Sequence, residues 1–245
     1  EPNETFTING TVTSGTVTST TTSGTVSITD NDTTPTVSIG SGGVITVTEG
    51  ETATIPVSID VPSSEDIVVS ITTSTGSADS GDYTETTVTA TIPAGETSTT
   101  ISIPTTTDGT DEPNETFTIN GTVTSGTVTN TTTSGTVSIT DNDSKPTVSI
   151  GSGGVLTVTE GETITIPVSI DVPSSVDTVV SITTTSGSAD SGDYTETTLT
   201  ATITAGTTST TVSIPTTDDG TDEPNETFTI NGTVTSGTVT NTTTS

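Results

Sequence analysis

The chain has 245 residues, with 31 acidic side chains against one basic, a net charge of −30, and no His, Cys, Met or Trp. That composition excludes chemistry built on a His base or a thiolate and leaves one lysine for a Schiff base. It repels nucleic acid and offers no basic patch to an anionic membrane. Only 24% of residues are hydrophobic and 2% aromatic. No apolar run approaches the ~20 residues of a membrane span, and no leader pattern is present. The expectation is a soluble fragment or mature piece. Without Cys there is no disulfide framework, and the acidity favours a calcium-rich, saline exterior.

In chain order, Glu1–Gly10 (EPNETFTING) returns at Glu112–Gly121 and again at Glu223–Gly232, a period of 111 residues. That is too long for a solenoid unit and suits one small domain per repeat. Pro35 and Pro146 follow short polar linkers and mark boundaries. The reading is 1–33 as the C-terminal strands of a truncated repeat, 34–144 as a complete repeat, and 145–245 as a repeat lacking its last strand. The whole reads as a window on a longer tandem array.

Within 34–144 apolar residues alternate with Thr or Ser: Val37-Ser38-Ile39, then Ala53-Thr54-Ile55 and Val57-Ser58-Ile59, then the continuous Ile67-Val68-Val69, Ile101-Ser102-Ile103, Phe117-Thr118-Ile119 and Val137-Ser138-Ile139. Period two predicts half-buried strands, and the continuous run a central one. Turn clusters at Gly40–Gly43, Pro62–Ser64, Gly76–Gly81 and Asp108-Gly109 separate them. Asn120-Gly121 is read as a bulge within one strand rather than a hairpin turn, because Phe117, Ile119 and Val123 keep one parity through it. The fold class is therefore all-β: tandem immunoglobulin-like antiparallel sandwiches of about seven strands per repeat. The copies differ at few positions, among them Ile45/Leu156, Ala53/Ile164, Glu65/Val176, Ile67/Thr178, Val88/Leu199 and Ile101/Val212. Most of these swaps stay apolar, as a packed core tolerates.

One Phe and one Tyr per repeat are the largest core residues, so the domain needs help to be stable. Disulfides lack Cys, and isopeptide staples lack a Lys in each repeat, since only Lys145 exists. Metal ions remain. Glu49, Glu51, Asp82, Asp108, Asp111, Glu112, Glu115, Asp141 and Asp143 lie in loops that up-and-down strand counting places at one end of the sandwich. Gathered carboxylates repel unless a cation neutralises them. Hard oxygen ligands without His or Cys select calcium. Asp60, Glu65 and Asp66 fall at the other end and are read as solvated charges.

Glu49-Gly50-Glu51, Gly81-Asp82-Tyr83-Thr84, the Asp108-to-Phe117 stretch and Asp141-Asn142-Asp143 occur in the order and context of the Calx-β domain, which the repeat resembles along its whole length. That domain occurs in sodium–calcium exchangers, in integrin β4 and in tandem in large bacterial surface proteins. The resemblance implies calcium ligands at Glu49, Asp82, Asp108, Glu112, Glu115, Asp141 and Asp143, and at Glu160, Asp193, Asp219, Glu223 and Glu226 in the next repeat. Asp111, Asn142 and Asp218 join them as neighbours, and Glu1, Glu4, Asp30 and Asp32 as first-segment equivalents. Asn142 interrupts an acidic run that is continuous in calcium-sensing members, and Thr107 stands where the next copy has Asp218. Fewer carboxylates imply fewer or weaker sites, suited to an extracellular module. The site of the last repeat is expected to be incomplete.

The leading functional expectation is a rod-like spacer, the extender region of a giant bacterial surface adhesin or filament. Calcium would stiffen its joints, and each repeat would add roughly 40 Å. Its partners would be neighbouring repeats and other copies in a filament, with no nucleic acid and no membrane insertion. The alternative is a repeat that itself binds glycan or another surface, through Thr arrays such as Thr11-Val12-Thr13 and Thr16-Val17-Thr18. Catalysis is not expected. Asp79-Ser80-Gly81 lacks the hydrophobic strand of an aspartic-protease triplet, and a Glu112/Glu115 glycosidase pair lacks aromatic platforms. Sequons at Asn3, Asn9, Asn114, Asn120 and Asn130 allow glycosylation.

Overall fold

The computed structural model describes residues 3–245, the side chains of Ser41 and Ser152 excepted, so Glu1 lies outside the described residues. Regular structure among them is β-strand, interrupted by two single-turn 3-10 segments. Two compact units result: residues up to 106 with 116–139, and residues 107–115 with 140–245.

The first unit opens with an antiparallel hairpin, β1 (Glu4–Thr11) and β2 (Thr21–Ile28), in register from Glu4 opposite Ile28 to Thr11 opposite Thr21. Among the described residues no other strand joins this pair. Its apolar residues are accordingly left in solvent, with Phe6, Ile8 and Ile28 each at least half exposed. Eight strands follow: β3 (Val37–Ile39), β4 (Val44–Thr48), β5 (Thr52–Ile59), β6 (Ile67–Thr75), β7 (Thr87–Ile92), β8 (Ser98–Pro104), β9 (Glu115–Ser125) and β10 (Thr132–Thr140). They form a three-stranded sheet ordered β3-β5-β8 and a five-stranded sheet ordered β4-β10-β9-β6-β7. The turn Gly40–Gly42 divides the first strand into β3 and β4, one in each sheet. Counted as one split strand, these give the seven-stranded sandwich expected.

The alternation read from the sequence maps onto burial. In β5, Ala53, Ile55, Val57 and Ile59 are buried and the residues between them are not. The continuous run in β6 also alternates: Ile67, Val69 and Ile71 are fully buried while Val68 is half-buried. β6 is flanked by β9 and β7, an interior position. Asn130, in the loop before β10, ties that loop to β3 of the other sheet. Its Oδ1 accepts the Val37 N–H at 2.8 Å, and its Nδ2 donates to the Val37 carbonyl at 2.9 Å. A glycan on Asn130 would break that pair, so this sequon is spent inside the fold.

The expected bulge at Asn120-Gly121 is not there. β9 runs straight through, with Asn120 opposite Thr72 and Gly121 opposite Ile71. The register shifts instead between Val68 and Val69, which face Ser125 and Val123 and leave Thr124 extra. Thr124 turns its hydroxyl to the Val68 carbonyl at 3.2 Å, which supplies a partner at the irregularity. Gly121 is glycine for space: a Cβ there would sit 2.6 Å from Ile39 Cδ1 and 3.1 Å from Val69 Cγ1.

The second unit repeats this plan with β11 (Val148–Ile150), β12 (Thr163–Ile170), β13 (Thr178–Ser186), β14 (Thr198–Ile203), β15 (Ser209–Pro215), β16 (Phe228–Ser236) and β17 (Thr243–Thr244). Its sheets are ordered β11-β12-β15 and β14-β13-β16-β17. Residues 155–159, equivalent to β4, are not strand.

Candidate metal centre

In the second unit three loops are stitched by backbone bonds to Thr216-Thr217, at the end of β15. Thr216 donates through N–H and Oγ1 to the Glu162 carbonyl, both at 2.9 Å, and through Oγ1 to the Thr159 carbonyl at 3.3 Å. The Thr217 N–H donates to the Asp193 carbonyl at 2.7 Å. The turn carrying Glu160, the loop carrying Asp193 and the segment entering Asp218-Asp219 are thereby held side by side.

The fourth acidic segment arrives by packing. Tyr194 is buried and stacks on Phe228, with ring centroids 4.2 Å apart. Asp193 precedes that tyrosine and Glu226 lies two residues before that phenylalanine. One aromatic stack therefore sets both carboxylates, at roughly the worth of a core aromatic pair. Asp193, Glu223 and Glu226 each offer a carboxylate oxygen within 4.8 Å of the others.

The electrostatics are those of crowded anions. Glu223 is raised above the usual glutamate range, first by Asp219, then by loss of hydration, Asp193, Glu160 and Asp190. Glu226 is raised by a hydrogen bond shared with Asp193, then by loss of hydration and by the charges of Asp193, Glu223 and Asp190. Asp193 is lowered, mainly because it accepts the Asp190 N–H, at 2.7 Å. Six acids thus act on one another, five of them expected from the sequence. The sixth, Asp190, was missed; its signal was the Asp-x-x-Asp spacing to Asp193. Asp218 is exposed and caps its own loop, accepting the Gly220 N–H at 3.1 Å, as Asp219 accepts that of Thr221 at 2.7 Å.

A second acidic group in this unit comes from 107–115 and 140–143. Asn114 Oδ1 accepts the Asp141 N–H at 3.2 Å, and Asp141 Oδ1 accepts that of Asp143 at 3.3 Å. Burial pushes Asp141 up, only partly offset by backbone donors at Asp143 and Glu112, and the Asp111 and Asp143 charges add to the rise. Asp143 Oδ2 is buried with no hydrogen-bond partner. An orphaned carboxylate oxygen beside other carboxylates fits a hard cation, because a buried anion is costly until paired. The donor sets present, all oxygen with no His or Cys, fit calcium by chemistry. Asp108 is exposed and caps Thr110 at 2.7 Å, Glu112 and Glu115 are half-buried, and Asn142 is exposed.

The first unit carries the counterparts Glu49 and Asp82. Glu49 is 8% exposed on the turn after β4. The Thr105 N–H donates to the Glu51 carbonyl at 2.9 Å and the Thr106 N–H to the Asp82 carbonyl at 2.7 Å, the same stitching as in the second unit, and the Gly50 N–H adds a bond to the Thr106 carbonyl at 3.1 Å. Tyr83 stacks on Phe117 at 4.1 Å. Glu4, Asp30 and Asp32 are exposed; the Asp30 N–H donates to Asn3 Oδ1 at 2.8 Å, mirroring Asp141 and Asn114.

The model of the Calx-beta domain matches residues 30–143 and 141–238. Among solved structures, the chain is similar to that titled CBD12 from CALX1.2, at 17% identity over 80% of this chain and 79% of that one, with a TM-score of 0.38. It is similar to calcium binding domain CBD12 of CALX1.1, at 18% identity over 73% and 74%, TM-score 0.39. The apo-form Calx CBD1 domain matches at 22% identity over 44% of this chain and 99% of that one, TM-score 0.38. No curated protein matches the chain. The structural likenesses are loose, and the assignment rests on the family match, which covers both repeats almost end to end. The chain is a tandem of Calx-beta domains and belongs to that family.

Proposed function

We propose that these tandem domains are calcium-stiffened structural repeats of a bacterial cell-surface or extracellular filament protein, serving as a spacer rather than a catalyst. The observation that carries the reading is the crowding of Asp193, Glu223 and Glu226, with oxygens within 4.8 Å of one another and two of the three carboxyls raised. The orphaned Asp143 oxygen supports it. Asp193, Glu223 and Glu226, joined by Glu160 and Asp219, would hold one cation; Asp141 and Asp143 would contribute to another. A bound cation replaces repulsion with attraction and ties loops of one unit together. A segment whose role is length benefits from near-identical copies, as seen at the 111-residue period. Its partners would be neighbouring repeats, and its place the calcium-rich exterior.

Calcium titration of thermal unfolding tests the cation, and small-angle scattering with calcium and with chelator tests the stiffening. A ligand at a hundred times its Kd stabilises by about 2.7 kcal/mol, so melting should rise by several degrees and the maximum dimension should lengthen with calcium. Identical melting and identical scattering in both buffers would overturn the reading.

A further inference from the structure

The chain holds one side chain that a trypsin-like protease could accept. Such enzymes seat a Lys or Arg in a pocket floored by a carboxylate and cleave the bond that follows it. These 245 residues contain one Lys, Lys145, and no Arg. Lys145 lies where cleavage would be easiest. It stands with Ser144 in the polar linker ahead of β11, and both are exposed. Among the described residues neither makes a hydrogen bond. Exposed connecting segments of this kind are preferred points of proteolytic nicking.

The residue after Lys145 is Pro146. A prolyl nitrogen carries no hydrogen and its ring fixes φ. The Lys145–Pro146 bond therefore offers a serine protease no N–H on its leaving side. The proline itself serves the fold. It is buried, and its carbonyl accepts the Thr240 N–H at 2.9 Å and Thr240 Oγ1 at 3.3 Å. Pro35 in the preceding linker is buried too, and its carbonyl accepts the Thr129 N–H at 2.8 Å, but Thr34 stands before it. So the linker keeps its proline with or without a lysine, and the lysine is the informative residue. Pro makes up 12 of the 245 residues, about one in twenty. The one basic residue sits directly before one of them.

We propose that these repeats are closed to proteases that cut after Lys or Arg, folded or unfolded, with Pro146 guarding the one residue that would otherwise open a linker. The enzymes excluded are those with a basic-specific pocket; the many glutamates leave the unfolded chain open to others. An exposed stalk gains most from such a guard, because one cut in a linker releases everything beyond it. That benefit rests on the proposed spacer role. The guard does not, and it needs no calcium.

Trypsin digestion of the full chain tests it, in buffer and in denaturing urea, with a glutamate-specific protease as the control for an open chain. The parent should stay intact in both, in calcium and in chelator alike. Pro146→Ala should be lost in urea and replaced by two pieces, 1–145 and 146–245. Because Pro146 is buried, the folded state is tested in the preceding linker, where Thr33 and Thr34 are exposed. Thr34→Lys recreates the Lys-Pro pair with Pro35 and should stay intact. Thr33→Lys, with Thr34 between it and the proline, should be cut after residue 33. Cleavage of the parent or of Thr34→Lys would overturn the proposal. So would survival of Pro146→Ala in urea, or of folded Thr33→Lys, which would mean that the fold and not the proline closes the linker.

Discussion

The two units are built from copies of one repeat, and together they show what a sandwich strand does with and without its pairing partner. In the first, Val44–Thr48 is strand β4 beside β10, and the Glu49 that follows is 8% exposed. In the second, the nearly identical Val155–Thr159 is not strand, Val155 is 88% exposed, and Glu160 lies in solvent. The local sequence is not the cause, since Ile45 and Leu156 are both apolar. The cause is the neighbour. β10 offers a nine-residue ladder, whereas the given sequence runs only to Ser245 and so includes just the start of its counterpart, β17 (Thr243–Thr244). Strand propensity is largely a statement about neighbours, and an edge segment without a ladder has nothing to pair with. The burial of a predicted ligand therefore depends on a strand some ninety residues away.

The comparison can be broken most forcefully at the aromatic stacks. Phe117 is fully buried, and Phe117→Ala should cost the first unit about 3–5 kcal/mol. Phe228 is only half-buried, so Phe228→Ala should cost the second unit clearly less. Chemical denaturation followed by amide signals from β6 and β13 separates the two losses. Equal losses would mean that the stack contributes the same in a closed and a partly open sandwich.

A smaller effect is expected at the Ile67/Thr178 difference. Both positions are fully buried, and Thr178 Oγ1 has no hydrogen-bond partner. A buried hydroxyl left unsatisfied costs about 1–3 kcal/mol. Thr178→Ile should therefore stabilise the second unit by that order, visible as a later thermal transition; an unchanged or earlier one would show that the isoleucine does not fit.

The least effect concerns pH. Asp171 Oδ1 accepts the Thr147 N–H at 2.6 Å, and Asp60 Oδ1 accepts that of Thr36 at 2.7 Å. These bonds hold both carboxyls below their usual value. A lowered folded pKa adds stability that is present above the unfolded value and lost as pH falls through the folded one, here below about pH 4. Glu223 and Glu226 behave oppositely: their raised values add stability at low pH that is lost as pH rises through the folded value. In chelator, Asp171→Asn should flatten the acid limb of the melting curve below about pH 4, and Glu223→Gln should flatten the decline above it.

Much of the sandwich was legible because alternation is local. Val-Ser-Ile and Ala-Thr-Ile patterns declare which face is buried whatever they pair with, and the 111-residue period marks the repeats. The acidic loops were legible in the same way, as residue types at fixed offsets from strands. Asp190 was not, because its proximity to Asp193, Glu223 and Glu226 depends on a turn and a ring stack rather than on composition. Nor was the misplaced bulge: parity through Asn120-Gly121 is compatible with a regular strand, and the extra residue at Thr124 is set by pairing with β6.

By itself, then, the sequence determined the strand faces, the repeat length and the kind of atom available to a ligand, oxygen and nothing softer. Tertiary structure decided which residues share an environment. Asp190, Asp193, Glu223 and Glu226 act on one another because a turn and a ring stack bring them together from separate loops. The physical reason is that side-chain alternation is carried by neighbouring residues along the chain, whereas burial and charge pairing are properties of what the folded chain brings from elsewhere.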